Sequence, residues 1–228
     1  MKSRIALINP NTTVATTLAM VRLAAEAVPE IEFLPVTVAK GPPVITEPKA
    51  LAQAAAHVAA LADHLPEGIS GAITAAFGDP GLEELRAALA VPVTGIAEAG
   101  MLAAAEGGRR FCVVTTTPDL AAPIKARVEA YGLGNSLTSV RLTAGDVHQV
   151  MADPARLEAA LAEAIHLAIS EDAAEAIVIG GGPLAVAARA LAGQFSVPII
   201  EPVPEAARRI ARLIRRSGGC IRTICLGV

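Results

Sequence analysis

The chain has 228 residues, of which 53% are hydrophobic and 2% aromatic, and it carries a net charge of −3 at pH 7. Tryptophan is absent, so we expect a core of Ala, Val, Leu and Ile, whose small side chains suit close packing of helices on a sheet. No basic cluster exceeds a pair of arginines, which argues against nucleic acid as the main partner. No apolar run reaches the roughly twenty residues of a membrane-spanning helix, and no signal peptide is apparent. We therefore expect a soluble, cytoplasmic protein without a membrane partner.

Cysteine and histidine are too scattered along the chain to indicate a metal site or a disulfide framework. Cys112 lies in a predicted strand, where we expect a small buried residue. Cys220 and Cys225 could close a local disulfide, but the expected cytoplasmic location argues against it. No two histidines have metal-ligand spacing, and neither GxGxxG nor GxxxxGK[ST] is present. We predict no metal and no cofactor.

In the first hundred residues, short apolar runs alternate with alanine-rich stretches of helical periodicity. This order predicts a parallel sheet, because only a crossover segment returns the chain to the same sheet edge. The predicted strands are at residues 4–8, 32–38, 72–75 and from 91, and the predicted helices run from Thr12 or Thr13 to about 28, at 49–65 and before 91. We expect the proline-rich loop of residues 41–48 to flank or cover a ligand cleft.

The second half of the chain repeats this layout. The predicted strands are at residues 110–115, 137–142, 176–179 and from 197, the predicted helices are at about 97–105, 154–170 and 205–216, and the tail at 221–226 is predicted to add a strand. The repeat predicts an α/β fold of two pseudo-symmetric Rossmann-like lobes with parallel sheets and a ligand cleft between them. We assign residues 1–96 plus 205–228 to lobe one and residues 97–204 to lobe two.

Four turns at predicted strand ends carry most of the polar residues of interest: 9–13 (NPNTT), 75–81 (AAFGDPG), 115–119 (TTTPD) and 180–184 (GGGPL). Open α/β sheets bind ligands at the carboxyl ends of their strands. Turn chemistry and helix capping explain the first turn equally well. The three threonines exceed what a cap needs, which favours ligand binding. The glycines suit either a tight turn or an anion-binding array of amides.

At these residues the chain resembles the aspartate/glutamate/hydantoin racemase superfamily, and most closely its hydantoin and allantoin racemase branch. The motifs that carry the resemblance are INPNT at residues 8–12, FGDPGL at 77–82, VTGIAEA at 93–99, VVTT at 113–116 and YGL at 131–133. The resemblance implies a cofactor-independent enzyme in which two cysteines, one in each lobe, remove and donate a proton on opposite faces of an α-carbon.

The chain departs from the family at both cysteine positions, which are Ala76 and Gly181 here. Neither side chain can carry a proton, so three interpretations stay open. The chain could be an enzyme with another acid or base, for which Asp79 is the tentative catalytic residue. It could be a non-catalytic protein that binds an anionic or cyclic ureide ligand. It could also carry an engineered pair of substitutions, although the GGGP turn looks like a native motif.

We predict a racemase- or isomerase-type protein that transfers a proton at the α-carbon of a small amino acid, carboxylate or hydantoin-like ring. We expect a small-molecule substrate as its partner, and the resemblance implies a homo-oligomer. The predicted ligand-binding residues are Asn9, Asn11, Thr12, Phe77, Gly78, Thr115, Thr116, Thr117, Gly181, Gly182 and Glu201.

Overall fold

The computed structural model describes residues 2–224, with side chains described through Arg216. Its framework is two parallel four-stranded sheets, with strand orders β2-β1-β3-β4 and β6-β5-β7-β8. The strands of the first sheet are β1 (Ser3–Asn9), β2 (Ile31–Thr37), β3 (Gly71–Thr74) and β4 (Val93–Gly95). Those of the second are β5 (Phe111–Thr115), β6 (Leu137–Leu142), β7 (Ala176–Ile179) and β8 (Ile199–Ile200). The identical orders confirm the predicted α/β fold of two similar parallel sheets.

Helices connect successive strands and cover both faces of each sheet. They are α1 (Val14–Ala27), α2 (Pro48–Ala59), α3 (Leu82–Ala88), α4 (Ile96–Ala104), α5 (Ala121–Ala130), α6 (Val147–Ala152), α7 (Pro154–Ser170), α8 (Ala185–Leu191) and α9 (Pro202–Ile224). Within residues 2–224, none of these helices is long and apolar enough to cross a membrane. Strand β1 is paired on both edges, since Ile5 lies opposite Phe33 of β2 and Gly71 of β3. Its central residues, 5–8, are buried on both faces and form a continuous apolar run.

Helix α4 joins the two halves of the molecule. Its Ile96 and Ala99 pack with α1 and α9 against one face of the first sheet. Its Ala97 and Met101 pack with α5 against the second sheet, on the face that carries Val113. Because α4 belongs to both cores, the boundary assigned between the lobes at residues 96 and 97 stays a prediction.

Three local predictions differ from the structure. The predicted helix at residues 49–65 ends earlier as α2, and a separate 3-10 turn follows at Ala62–His64. Leu65 is extended, because Pro66 disfavours helical geometry in the residue before it. Residues 221–224 of the tail predicted as a strand continue α9 instead, and residues 225–226 lie outside the described residues. Helix α6 was not expected; the side chain of Asp146 caps it by accepting a hydrogen bond from the backbone N–H of Gln149 at 3.0 Å.

The cysteine expectations are resolved only for Cys112. Its side chain is fully buried in β5, as predicted, and burial raises the pKa of its thiol. The side chain of Cys220 and the whole of Cys225 lie outside the described parts of the chain, so the prediction that they form no disulfide stays a prediction.

The packing of α9 on the first sheet predicts a large effect of truncation at Ile210. This side chain is fully buried, and Ile210→Ala should lower the free energy of unfolding by about 2–5 kcal/mol because it leaves a cavity. Leu18→Ala, on the exposed face of α1, is the matched control and should change it by about 0.5 kcal/mol or less. Urea unfolding measures both, and equal losses would contradict this packing.

Candidate ligand pocket

A pocket that is partly open to solvent lies where the carboxyl ends of the two sheets face each other. All four predicted turns contribute to it. The lining consists of Asn11, Val44, Ile45, Leu51, Ala75, Ala76, Phe77, Thr115, Thr116, Thr117, Leu120, Ile124, Met151, Gly180, Gly181, Gly182, Pro183 and Leu184. Val44 and Ile45 come from the loop of residues 41–48, which therefore flanks the cleft as predicted.

Two asparagines shape the turn after β1. The side-chain oxygen of Asn9 accepts a hydrogen bond from the backbone N–H of Asn11 at 3.1 Å, and the side-chain oxygen of Asn11 accepts one from the backbone N–H of Thr13 at 2.9 Å. These are successive Asx turns, a conformation that Asn favours. The Nδ2 of Asn9 also donates to Oδ1 of Asn11 at 3.0 Å. Asn9 is buried and does not line the pocket.

These bonds engage the side-chain oxygen of Asn11 and leave its side-chain NH₂ group for the pocket. Two donors converge on its Oδ1, which fixes the orientation of the carboxamide, and the residue is only 4% exposed. Among the described residues, the Nδ2 of Asn11 donates to no protein group. Asn11 therefore presents an unpartnered NH₂ donor at the pocket lining.

The predicted threonine cap of α1 is only half right. Thr13 occupies the N-cap position, but its hydroxyl makes no capping bond and instead donates to the backbone oxygen of Pro43 at 2.8 Å. The backbone N–H of Thr12 donates to the oxygen of Pro42 at 3.3 Å. Both residues thus hold the flanking loop against the first turn, and neither lines the pocket.

The three threonines after β5 are nearly inaccessible from outside, with exposures between 1% and 8%. The hydroxyls of Thr115 and Thr117 lie 3.1 Å apart and share one hydrogen bond, while that of Thr116 points at the sulfur of Met151 at 3.6 Å. A thioether sulfur is a weak acceptor. One hydroxyl hydrogen of the Thr115–Thr117 pair, and that of Thr116, are therefore available to a ligand.

The glycines after β7 allow close packing between the two halves of the protein. A Cβ at Gly180 would lie 2.8 Å from the ring of Phe77, and one at Gly182 would lie 3.2 Å from the backbone oxygen of Ala75. Gly181 has φ of +153°, and a Cβ there would lie 3.0 Å from Cγ of Leu184. Close approach therefore explains these glycines, and ligand binding by their amides stays a proposal.

Asp79 does not line the pocket. Its carboxylate is fully buried at the N-terminus of α4, where it accepts hydrogen bonds from the backbone N–H groups of Ala97 at 2.9 Å and Glu98 at 2.7 Å. The hydroxyl of Tyr131 donates a third bond at 2.6 Å. Gly95 makes room for this carboxylate, because a Cβ there would overlap it. These contacts support a structural role for Asp79 rather than the tentative catalytic one.

The ionisable groups around Asp79 are strongly coupled. Burial raises the pKa of Asp79 to about 6, against the opposing effect of its three hydrogen bonds. Burial and the adjacent Asp79 charge raise the pKa of Tyr131. Burial alone would raise the pKa of Glu98, but hydrogen bonds from Arg86 and Thr94 and the nearby charge of Arg209 hold it below its usual range.

Glu201 and Gly78 also lie outside the lining. Glu201 accepts a hydrogen bond from Arg189 at 2.6 Å, and Arg189 reaches Glu26 of α1 at 3.0 Å. Gly78 has φ of +119°, and a Cβ there would lie 3.2 Å from the side chain of Leu51.

The structure thus brings together part of the predicted site and adds an apolar wall that sequence reasoning missed. The predicted residues in the lining are Asn11, Phe77, Thr115, Thr116, Thr117, Gly181 and Gly182, together with Ala76. The wall includes Leu120 and Ile124, whose spacing of four residues could have indicated a shared apolar helix face. It also includes Met151 of α6, a helix that was not predicted. The lining formed by the described residues contains no Asp, Glu, His, Cys, Lys, Arg or Tyr side chain.

Comparison with known proteins agrees with this architecture. Residues 5–210 match the family model described as Asp/Glu/Hydantoin racemase. The chain belongs to this family. It is 31% identical over 214 residues to the hydantoin racemase of Paenarthrobacter aurescens, covering 91% of this chain and 89% of that one.

Two solved allantoin racemase structures have the same fold. The one from Pseudomonas fluorescens superposes with a TM-score of 0.88 at 29% identity, over 94% of this chain and 92% of that chain. The one from Klebsiella pneumoniae gives 0.85 at 31%, over 95% and 89%. The resemblance to the hydantoin and allantoin racemase branch is confirmed.

The buried position of Asp79 predicts a pH-dependent contribution to stability. Its pKa is raised from 3.8 to about 6, so the stability that it contributes is fully present below about pH 4 and is lost as the pH rises through about 6. Asp79→Asn removes this titration. The difference in the free energy of unfolding, unaltered chain minus variant, should therefore fall between about pH 4 and 6 and be flat above about pH 7.

Urea unfolding from about pH 4 to 8 measures this difference. Glu98 titrates in both proteins, so much of its effect cancels. Asp63→Asn, at an exposed aspartate, controls for the change in net charge. A difference that is constant across the whole range would contradict the assignment.

Proposed function

We propose that this racemase-family protein binds a small, uncharged cyclic ureide in the pocket between its sheets, without a side-chain base that moves a proton. The observation that carries the proposal is the lining itself. It offers the NH₂ of Asn11 and the threonine hydroxyls as hydrogen-bonding groups, yet contains no titratable side chain among the described residues. Such a site can hold and orient a ring, but it cannot exchange the proton of an α-carbon through its side chains.

The polar groups suit a ring with carbonyl oxygens. The Asn11 NH₂ can donate only, while the hydroxyls of Thr116 and of the Thr115–Thr117 pair can both donate and accept. A cyclic ureide offers carbonyl acceptors and ring N–H donors in one plane, which matches this mixture. A carboxylate fits less well, because burying an unpaired charge is costly and no cationic side chain faces it from the described lining.

The apolar wall indicates a ring with an apolar substituent. Phe77, Leu120 and Ile124 line the pocket together with Val44 and Ile45 of the flanking loop. Each CH₂ group buried there would contribute about 0.8 kcal/mol. The relatives named as hydantoin racemase and allantoin racemase support a ureide ligand for this chain too. The apolar wall favours a 5-alkyl hydantoin over allantoin, whose ureido side chain is polar.

Racemase-type turnover is the second candidate. It is favoured by family membership along nearly the whole chain. It is also favoured by Ala76 and Gly181, the positions that the resemblance assigns to the family cysteines, because both line one pocket. Turnover would need an acid or base from outside the described lining. The homo-oligomer and the cytoplasmic location expected from the sequence stay predictions.

Calorimetric titration tests the binding proposal directly. We expect 5-isopropylhydantoin to bind more tightly than allantoin, and aspartate and glutamate not to bind. Asn11→Asp keeps an oxygen that accepts from Asn9 and Thr13 but replaces the NH₂ donor, so it should weaken hydantoin binding by at least about 2- to 12-fold, the value of one net hydrogen bond of about 0.5–1.5 kcal/mol. Asn135→Asp, at an exposed asparagine, is the matched control and should leave affinity unchanged. Tighter binding of the amino acids than of hydantoins would refute the proposed ligand class.

Deuterium exchange at the C5 carbon of enantiopure 5-isopropylhydantoin separates the two candidates. The unaltered chain should not exchange this proton faster than buffer, because no side chain of the described lining can remove it. Exchange above the buffer rate would overturn the non-catalytic proposal and establish the second candidate.

Two cysteine variants test, by their free energies of unfolding, whether each position has room for a larger side chain. Ala76→Cys adds a single sulfur atom at a residue that already has a Cβ, so it should fold normally. Gly181→Cys must strain the backbone or displace Leu184. We therefore expect a lower free energy of unfolding for the double variant than for Ala76→Cys alone.

A further inference from the structure

The turn of residues 76–81 connects the pocket to the joint between the two halves. At one end Ala76 and Phe77 line the pocket. At the other, Asp79 accepts the two backbone hydrogen bonds from the first turn of α4. The turn is closed internally, because the backbone N–H of Asp79 donates to the oxygen of Ala76 at 3.0 Å and the hydroxyl of Thr74 donates to the oxygen of Pro80 at 3.0 Å. A shift of Asp79 would therefore move the pocket wall.

Tyr131 holds this turn from the other half of the chain. It follows α5, and its hydroxyl donates to Oδ2 of Asp79 at 2.6 Å across 52 residues of sequence. Within the described residues, no other side chain from the second sheet or its helices makes a hydrogen bond to the turn. A hydroxyl that donates to a carboxylate is a charge-assisted bond, roughly twice as strong as a neutral one.

The Tyr131 ring lies between two apolar clusters. It packs against the cluster of Phe77, Met101 and Ile124 and also against the cluster of Val58 and Leu82. The ring is thus fixed by packing on both sides, and the hydroxyl has a defined position from which to hold Asp79.

We propose that Tyr131 is a positioning residue of the ligand pocket, which acts through Asp79 to hold the turn of residues 76–81 so that Ala76 and Phe77 stay in the lining. Tyr131 itself does not touch the pocket. Its effect on affinity rests on the proposed function, whereas its effect on the turn does not.

Hydrogen–deuterium exchange of the backbone amides tests the turn without any ligand. Tyr131→Phe removes only the hydroxyl and keeps the packed ring. We expect exchange in peptides that cover residues 76–81 and 96–99 to rise by about 2- to 12-fold, as for the loss of one net hydrogen bond. Ser139→Ala is the matched control, because it removes another hydroxyl that donates to a carboxylate, that of Asp172 at 2.5 Å, away from the pocket. It should leave exchange of the turn unchanged.

Affinity for 5-isopropylhydantoin is the second readout. Tyr131→Phe should weaken binding several-fold at a temperature where it is fully folded, while Ser139→Ala should not, even if both variants lose similar stability. A purely structural role for Tyr131 predicts equal affinities for the two variants. Unchanged exchange of the turn in folded Tyr131→Phe overturns the proposal, whatever the affinity.

The single tyrosine of the chain keeps the proposal testable if Tyr131→Phe fails to fold. Incorporation of 3-fluorotyrosine places one fluorine label beside Asp79. Saturating 5-isopropylhydantoin should shift this ¹⁹F resonance, although Tyr131 lies outside the pocket lining. Binding measured by calorimetry with no shift of the resonance overturns the coupling. If no hydantoin binds the unaltered chain, the proposed function fails, whereas the positioning role is still decided by amide exchange of the turn in Tyr131→Phe, which needs no ligand.

Discussion

The carboxylate of Asp79 at the start of α4 is the interaction on which both the joint of the fold and the pocket depend. Helix α4 packs in both cores, so whatever fixes its first turn also fixes one sheet relative to the other. Burying a carboxylate costs several kcal/mol, and hydrogen bonds to a charged group return about 1.5–3 kcal/mol each. The raised pKa of Asp79 indicates that its three hydrogen bonds offset only part of this cost.

The buried and the exposed polar contacts between the two halves contribute differently to stability. Arg189 bridges Glu26 and Glu201, but its side chain is 42% exposed, and exposed ion pairs contribute about 0–1 kcal/mol. The contact of Tyr131 with Asp79 is buried and charge-assisted, and it lies beside Glu98, which pairs with Arg86 and, more distantly, with Arg209 of α9. We infer that this buried group, rather than the surface bridge, fixes the halves to each other.

Local periodicity predicted the strands and most of the helices, whereas contacts between residues far apart in the chain could not be predicted from it. The order of strands and the four turns followed from apolar runs ending in Asn, Thr and Gly, and the predicted helix at residues 154–170 agrees with α7. Helix α6 has only six residues, too few to show a helical period, so Met151 was missed with it. Nothing local to Asp79 reveals that its partners are 18, 19 and 52 residues away, and a carboxylate in a turn beside the cleft therefore looked like a candidate acid or base.

The two positions that the family resemblance assigns to cysteines, Ala76 and Gly181, differ in the room that they leave for a side chain. Ala76 keeps a Cβ at the pocket lining, and only a sulfur atom separates it from cysteine. Gly181 lies at φ of +153° with Leu184 closing the space that a side chain would need, so here the backbone itself suits glycine. A cysteine at residue 76 would need only one added sulfur atom, whereas a cysteine at residue 181 would need Leu184 to move.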